Sequence, residues 1–214
     1  MENVTPLQLL VGTNNAHKAS EIAALLHDSH RPIRVVTPRD LGITEEPEEN
    51  GETFEANALI KARYYARQSG LPCLADDSGL VVDALDGRPG VYSARYAPSD
   101  PERIARVLRE LESVPEARRT ARFVCAAALV LPPDPKEQGD QPSPPRETVR
   151  VGTCEGRIAF EARGKNGFGY DPVFFLPDVN KTMAELTPAE KNARSHRGHA
   201  LEAIHPHILE TLMS

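Results

Sequence analysis

The sequence predicts an α/β fold built on a mixed β-sheet. Three observations carry that reading. Apolar runs of strand length, such as Leu7-Gln-Leu-Leu-Val-Gly12, alternate with segments of helical period. Two long strand candidates, Arg122–Leu131 and Thr148–Arg163, are joined by a stretch without an apolar run, so they should pair directly and antiparallel. The 214 residues are 40% hydrophobic and 26% charged, enough chain to bury a substantial core in one domain or in two small ones.

The elements follow in order. After the first strand, Lys18 to Leu26 reads as a helix with Ile22, Leu25 and Leu26 on one face, and Ile33 to Val36 as a second strand. Residues 40–52 are acidic, contain Pro47 and Gly51, and read as a loop. Thr53 to Gln68 is a helix capped by Thr53, striped by Phe54, Ala58, Ala62, Tyr65 and Ala66, and stopped by Gly70. Pro72 to Ala75 and Leu80 to Leu85 read as strands on either side of Asp76-Asp77-Ser78-Gly79. Asp100-Pro101-Glu102 opens a helix whose apolar face is Ile104, Val107, Leu108 and Leu111. Between the two long strands, Pro132 to Glu147 holds six of the 19 prolines and reads as a loop insertion at a hairpin tip. Thr187-Pro-Ala-Glu190 has the form of a capping box, and a last helix from about Gly198 to Met213 is expected to kink or break at Pro206.

Composition excludes several classes. A net charge of −6 argues against a protein that grips a nucleic-acid polymer, which needs a basic field. No segment approaches the apolar length of a membrane span, and Met1 to Thr5 lacks the pattern of a secretory signal. Cys73, Cys125 and Cys154 are odd in number and lack ligand spacing, so they read as reduced core residues of a cytoplasmic protein.

Five constellations can carry chemistry. Thr13-Asn14-Asn15-Ala16-His17-Lys18 lies where a strand passes into a helix, a place that favours an anion; a plain Asn cap followed by a surface lysine is the simpler alternative. The cluster from Glu45 to Glu52 suits Mg²⁺, or is a solvated acidic loop. Asp76-Asp77-Ser78-Gly79 is either a carboxylate site or a polar turn; strand alternation would aim only one aspartate at the site. Gly164-Lys-Asn-Gly-Phe168-Gly169-Tyr170-Asp171 sets aromatics among glycines, so that a ring can stack on a flat ligand while Asp171 accepts from it; a glycine-rich hairpin is the alternative. Lys191 with Ser195-His196-Arg197-Gly198 points donors into a bend, or merely ends a helix with basic residues. Lys61 and Arg95 are further candidate cations.

The order of these elements is more specific than any one of them. Thr-x-Asn-x-x-Lys, Glu-Thr-Phe-x-x-Asn-Ala, Asp-Asp-Ser-Gly-Leu, Gly-Val-Tyr-Ser-Ala-Arg-Tyr, Gly-Phe-Gly-Tyr-Asp-Pro-x-Phe and Ser-His-Arg-Gly, taken together, resemble the inosine triphosphate pyrophosphatase family over residues 8–213. The resemblance implies an elongated mixed sheet with two lobes about a cleft, a homodimer, and Mg²⁺-dependent hydrolysis of inosine, deoxyinosine and xanthosine triphosphates between the α- and β-phosphates. It puts the phosphate-binding turn on Thr13, Asn14, Asn15, Ala16, His17 and Lys18, with Lys61 near the phosphates. It makes Asp77 catalytic, places the metal on Glu48 and Asp77 with Glu49 as the open neighbour, and gives Ser78 a substrate contact. Base recognition falls on Phe168, Gly169, Tyr170, Asp171, Lys191, His196 and Arg197. Asn14 stands where many relatives have glycine, and the 132–147 stretch is longer than usual.

Three rivals remain at this stage. They are a pyrimidine or methylated-nucleotide pyrophosphatase on a related fold, a nucleotide-binding regulator without turnover, and an interaction module using the proline stretch.

Overall fold

The computed structural model describes residues 7–26, 33–132 and 146–213. The proline-rich insertion therefore lies almost wholly outside the described residues. The strands are β1 (Leu7–Val11), β2 (Ile33–Val36), β3 (Cys73–Val82), β4 (Thr120–Val130), β5 (Glu147–Ile158), β6 (Phe174–Leu176) and β7 (Lys181–Thr182). The α-helices are α1 (Ala16–Leu26), α2 (Phe54–Ser69), α3 (Asp100–Glu110), α4 (Pro188–Arg194) and α5 (His196–Met213).

The strands form one sheet in the order β2-β1-β3-β4-β5-β6-β7. β1 runs parallel to β2 and β3, whereas β5/β6 and β6/β7 are antiparallel, so the sheet is mixed as expected. Leu131 N donates to Arg146 O at 3.1 Å just beyond β4 and β5, which are neighbours in the sheet.

By its contacts the chain falls into two compact units. Among the described residues, one holds 7–26, 33–77, 126–132, 146–151 and 200–213; the other holds 78–125 and 152–199. In the first, Ala58, Ala62 and Ala66 of α2 share a core with Leu10, Cys73, Ala75, Ala126 and Ala128. Alanines at i, i+4 and i+8 put one small, fully apolar stripe on the helix, which lets it lie close on the strands. Thr53 caps α2 by accepting from Ala56 N, and Gly70 ends it, both as the sequence indicated. In the second unit, Leu80, Val107, Leu111, Phe123, Val173 and Phe174 are central to the core.

Four expectations are corrected. Residues 73–82 are one continuous strand, not two strands about a turn. Asp, Ser and Gly are turn formers in isolation, but here both neighbouring positions in the sheet are taken by β1 and β4, and cross-strand pairing overrides local preference. β5 ends at Ile158 rather than Arg163; beyond it only scattered bonds persist, Ala159 N to Val173 O and Arg163 N to Pro172 O. The short strands β6 and β7 carried no periodicity long enough to read. α5 starts at His196 and runs through Pro206 to Met213 without interruption. Pro206 is exposed, so water can satisfy the carbonyl that loses its partner. Among the described residues no helix is long and apolar enough to cross a membrane.

Candidate active site

The first group of side chains belongs to the unit holding α1 and α2. Asn15 Oδ1 accepts from His17 N at 3.0 Å and Lys18 N at 3.2 Å, which caps α1 and puts Lys18 in its first turn. Thr13 Oγ1 accepts from Asn15 N, and Asn14 Nδ2 donates to Glu46 of the acidic loop at 2.7 Å. Ala16 and His17 are exposed at the helix start. From this turn Lys18 reaches Asp76, Nζ to Oδ2, at 3.1 Å.

Lys61, on α2, lies between two carboxylates. Its Nζ is 3.6 Å from Asp77 Oδ1 and 3.2 Å from Glu49 Oε1. Asn57, one turn earlier on α2 and fully buried, donates Nδ2 to Asp77 Oδ2 at 3.1 Å and accepts from Gly51 N at 2.8 Å. Asp76 and Asp77, only 2% and 7% exposed, pair with different lysines, yet Lys18 also acts on Asp77 and Lys61 on Asp76, so both aspartates belong to one charged group rather than only one of them as strand alternation led us to expect.

The charge balance around this group follows from burial. Burial pushes the Asp77 carboxyl above the ordinary carboxylate range; Lys61 and Lys18 pull it down, Glu49 pushes it up, and the rise prevails. Burial would lower the Lys61 ammonium, but Asp77, Asp76 and Glu49 outweigh it, and Lys61 is held above its usual value. The group is therefore rich in anionic charge. Glu48, expected to ligate metal, is exposed; the loop carboxylate brought to Lys61 is Glu49.

Among the described residues no three His, Cys, Asp or Glu side chains cluster closely enough to hold a metal by themselves. Mg²⁺ asks for less: one or two carboxylates, with water and substrate phosphate completing its shell. Asp77 and Glu49 are hard oxygen donors around one ammonium in an anion-rich setting, and they fit that requirement.

The second group belongs to the other unit. Gly167 has φ +75°, and a Cβ there would fall 2.0 Å from Asp171 Oδ2, so glycine is required for the turn to close over that carboxylate. Asp171 Oδ2 accepts from Phe168 N at 2.9 Å and from Lys191 Nζ at 2.6 Å. The oxygen read from sequence as a ligand acceptor thus fastens the turn and neutralises a buried lysine. Lys191 lies 4.7 Å from the Phe168 ring centroid and Arg197 lies 5.8 Å from it, both at cation–π range.

Arg197 is 1% exposed and donates from Nη2 to Ser78 Oγ at 3.0 Å. Ser195 ends α4 and caps α5 by accepting from Gly198 N, so His196 and Arg197 open α5 rather than sit in a bend. The His196 ring stacks on Phe123, with centroids 4.7 Å apart and planes 18° apart. Tyr170 is buried, and its hydroxyl donates to Ser93 O at 2.9 Å. Burial drives the Tyr170 phenol pKa up. That side chain belongs to the core, whereas Phe168 is only half buried. Arg95 lies over the exposed Tyr92 ring, 5.6 Å from its centroid.

Sequence reasoning had no role for Asn57, Ser93 or Asp100. Asn57 and Ser93 stood inside quoted motifs, whereas Asp100 was read only as part of a helix start; its Oδ2 accepts from Gly169 N at 2.8 Å.

A model of the Ham1 family matches residues 9–207, nearly the whole chain. The chain belongs to the Ham1 family. A dITP/XTP pyrophosphatase of Geobacillus kaustophilus is 48% identical to this Ham1 chain over 197 residues, covering 91% of the chain and 90% of that protein. A HAM1 protein from Coxiella burnetii superposes with a TM-score of 0.79 at 43% identity, covering 95% of this chain and 99% of that one. A nucleoside-triphosphatase, or dITP/XTP pyrophosphatase, of Mycobacterium abscessus superposes with a TM-score of 0.70 at 44% identity, covering 93% and 99%.

Proposed function

We propose that this Ham1 protein hydrolyses inosine, deoxyinosine and xanthosine triphosphates to the nucleoside monophosphate and pyrophosphate. The observation that carries the reading is the pair of buried ion contacts, Lys18–Asp76 and Lys61–Asp77, made by adjacent residues of one central strand. Names borne by relatives at 44–48% identity support it.

The chemistry follows from charge. A triphosphate carries about four negative charges, and phosphoryl transfer asks mainly for positioning and neutralisation. Lys18 and Lys61 supply fixed positive charge to the polyphosphate. Asp77 and Glu49 would hold Mg²⁺, which when bound neutralises phosphate oxygens. Asp77 takes the proton of the attacking water while the α–β anhydride bond breaks and pyrophosphate leaves. Asn57 and Lys61 hold its two carboxylate oxygens in place for that proton transfer.

Base choice falls to the second group. Phe168 offers a half-buried ring for stacking, and Lys191 and Arg197 supply donor character around it. A 6-oxo purine presents an acceptor to such cations, whereas adenine presents an amino donor and leaves polar groups unmatched. The protein is further proposed to be cytoplasmic, in keeping with three buried free cysteines, and to act as a homodimer.

Phosphorus NMR of products formed in ¹⁸O-water tests the reaction. Inosine monophosphate and pyrophosphate in equal amounts are expected. Inosine diphosphate with orthophosphate would refute α–β cleavage, and no product would favour a binding regulator.

A further inference from the structure

The base-recognition turn is held from both sides of Phe168. Phe168 N donates to Asp171 Oδ2 at 2.9 Å, and Gly169 N donates to Asp100 Oδ2 at 2.8 Å. These two N–H groups belong to the two peptide planes that flank the Phe168 Cα. Fixing both planes fixes φ and ψ of Phe168, and so the direction of its Cα–Cβ bond. Asp171 is local to the turn, whereas Asp100 comes from 69 residues away at the start of α3.

Asp100 is itself held in place. Ser99 caps α3 by accepting from Glu102 N, and Arg103, one turn on, pairs with Asp100 Oδ1. Arg103 also donates to Ala94 O at 2.8 Å, in the 3-10 helix Gly90–Arg95. The same 3-10 helix accepts the Tyr170 hydroxyl through Ser93 O. Gly169 has φ +61°, a conformation that side chains disfavour and that an external acceptor helps to hold.

We propose that Asp100 is a specificity-determining positioning residue, which sets the pose of the Phe168 ring, and hence purine selection, by accepting a hydrogen bond from Gly169 N. The proposal rests on the reading of the Phe168 turn as the base site.

The test compares the parent with Asp100→Ala, Asp100→Asn and Phe168→Ala in steady-state kinetics on inosine and adenosine triphosphates. Asp100 is partly exposed, which favours folding of its variants. Asp100→Ala should raise KM for inosine triphosphate about tenfold, the loss of one charge-assisted hydrogen bond, with kcat nearly unchanged and selectivity over adenosine triphosphate narrowed. Asp100→Asn keeps an acceptor oxygen and should stay within about threefold of the parent. Amide exchange at Gly169 should quicken in Asp100→Ala but not in Asp100→Asn. Parent-like KM and selectivity in Asp100→Ala, with both lost in Phe168→Ala, would overturn the proposal and spare the base-site reading. Equal losses of kcat on both nucleotides in the two Asp100 variants would also overturn it. A parent-like Phe168→Ala would remove the base-site reading and the proposal together.

Discussion

Asp77 is held 3.6 Å from the Lys61 ammonium, yet its carboxyl pKa is raised, because burial and Glu49 outweigh the attraction. The two residues therefore contribute to folding with opposite sign. Between the ordinary carboxylate pKa and the raised folded value, the native state keeps a proton that the unfolded chain releases, so stability falls as pH rises through that window. Asp77→Asn should melt higher than the parent at neutral pH, with the gap closing as pH falls toward the ordinary carboxylate range. It should also lower kcat by at least about a hundredfold while nucleotide still binds. Melting scans across pH and single-turnover assays check both parts.

Lys61→Met should do the reverse. It leaves Asp77 and Glu49 partly buried without their shared cation, and the loss of one partner from a buried pair costs about 3 kcal/mol. The raised pKa of Lys61 makes its contribution fully present below the ordinary lysine value and lost as pH climbs through the folded one. Urea unfolding at neutral and strongly alkaline pH should show a wide gap that narrows.

Glu49 and Glu48 are neighbours that the structure separates, one against Lys61 and one in solvent. Glu49→Gln should raise the Mg²⁺ concentration for half-maximal activity about tenfold, the order of a lost carboxylate contact. Glu48→Gln should match the parent. A Mg²⁺ titration at saturating nucleotide distinguishes them.

Arg197→Ala should weaken inosine triphosphate far more than inorganic tripolyphosphate, since the guanidinium sits over Phe168 and on Ser78. Competitive inhibition by tripolyphosphate against turnover of the nucleotide measures the difference. Equal losses would assign Arg197 to the phosphates.

The elements written in local chemistry were legible. Thr187 and Glu190 cap each other as the motif implied, with Thr187 N donating to Glu190 Oε2 at 2.8 Å. Thr53 and Gly70 bound α2 where they were expected to. What local chemistry left unread was set by distant partners. Asp76-Asp77-Ser78-Gly79 favours a turn until strands on both sides pair with it. A run of glutamates does not say which one meets a lysine twelve residues on, and Glu49 became distinct only when α2 brought Lys61 to it. Tyr170 and Phe168 look alike in sequence, but one is sealed by Ser93 and the core while the other stays half exposed.

The most direct measurement is kcat/KM for pyrophosphate release from inosine, deoxyinosine, xanthosine, adenosine and guanosine triphosphates, with and without Mg²⁺. The first three should exceed adenosine triphosphate by at least about a hundredfold, and only with the metal present; guanosine triphosphate, which shares the 6-oxo acceptor, reads whether the 2-amino group is refused separately. Adenosine triphosphate turned over as well as inosine triphosphate would contradict the account.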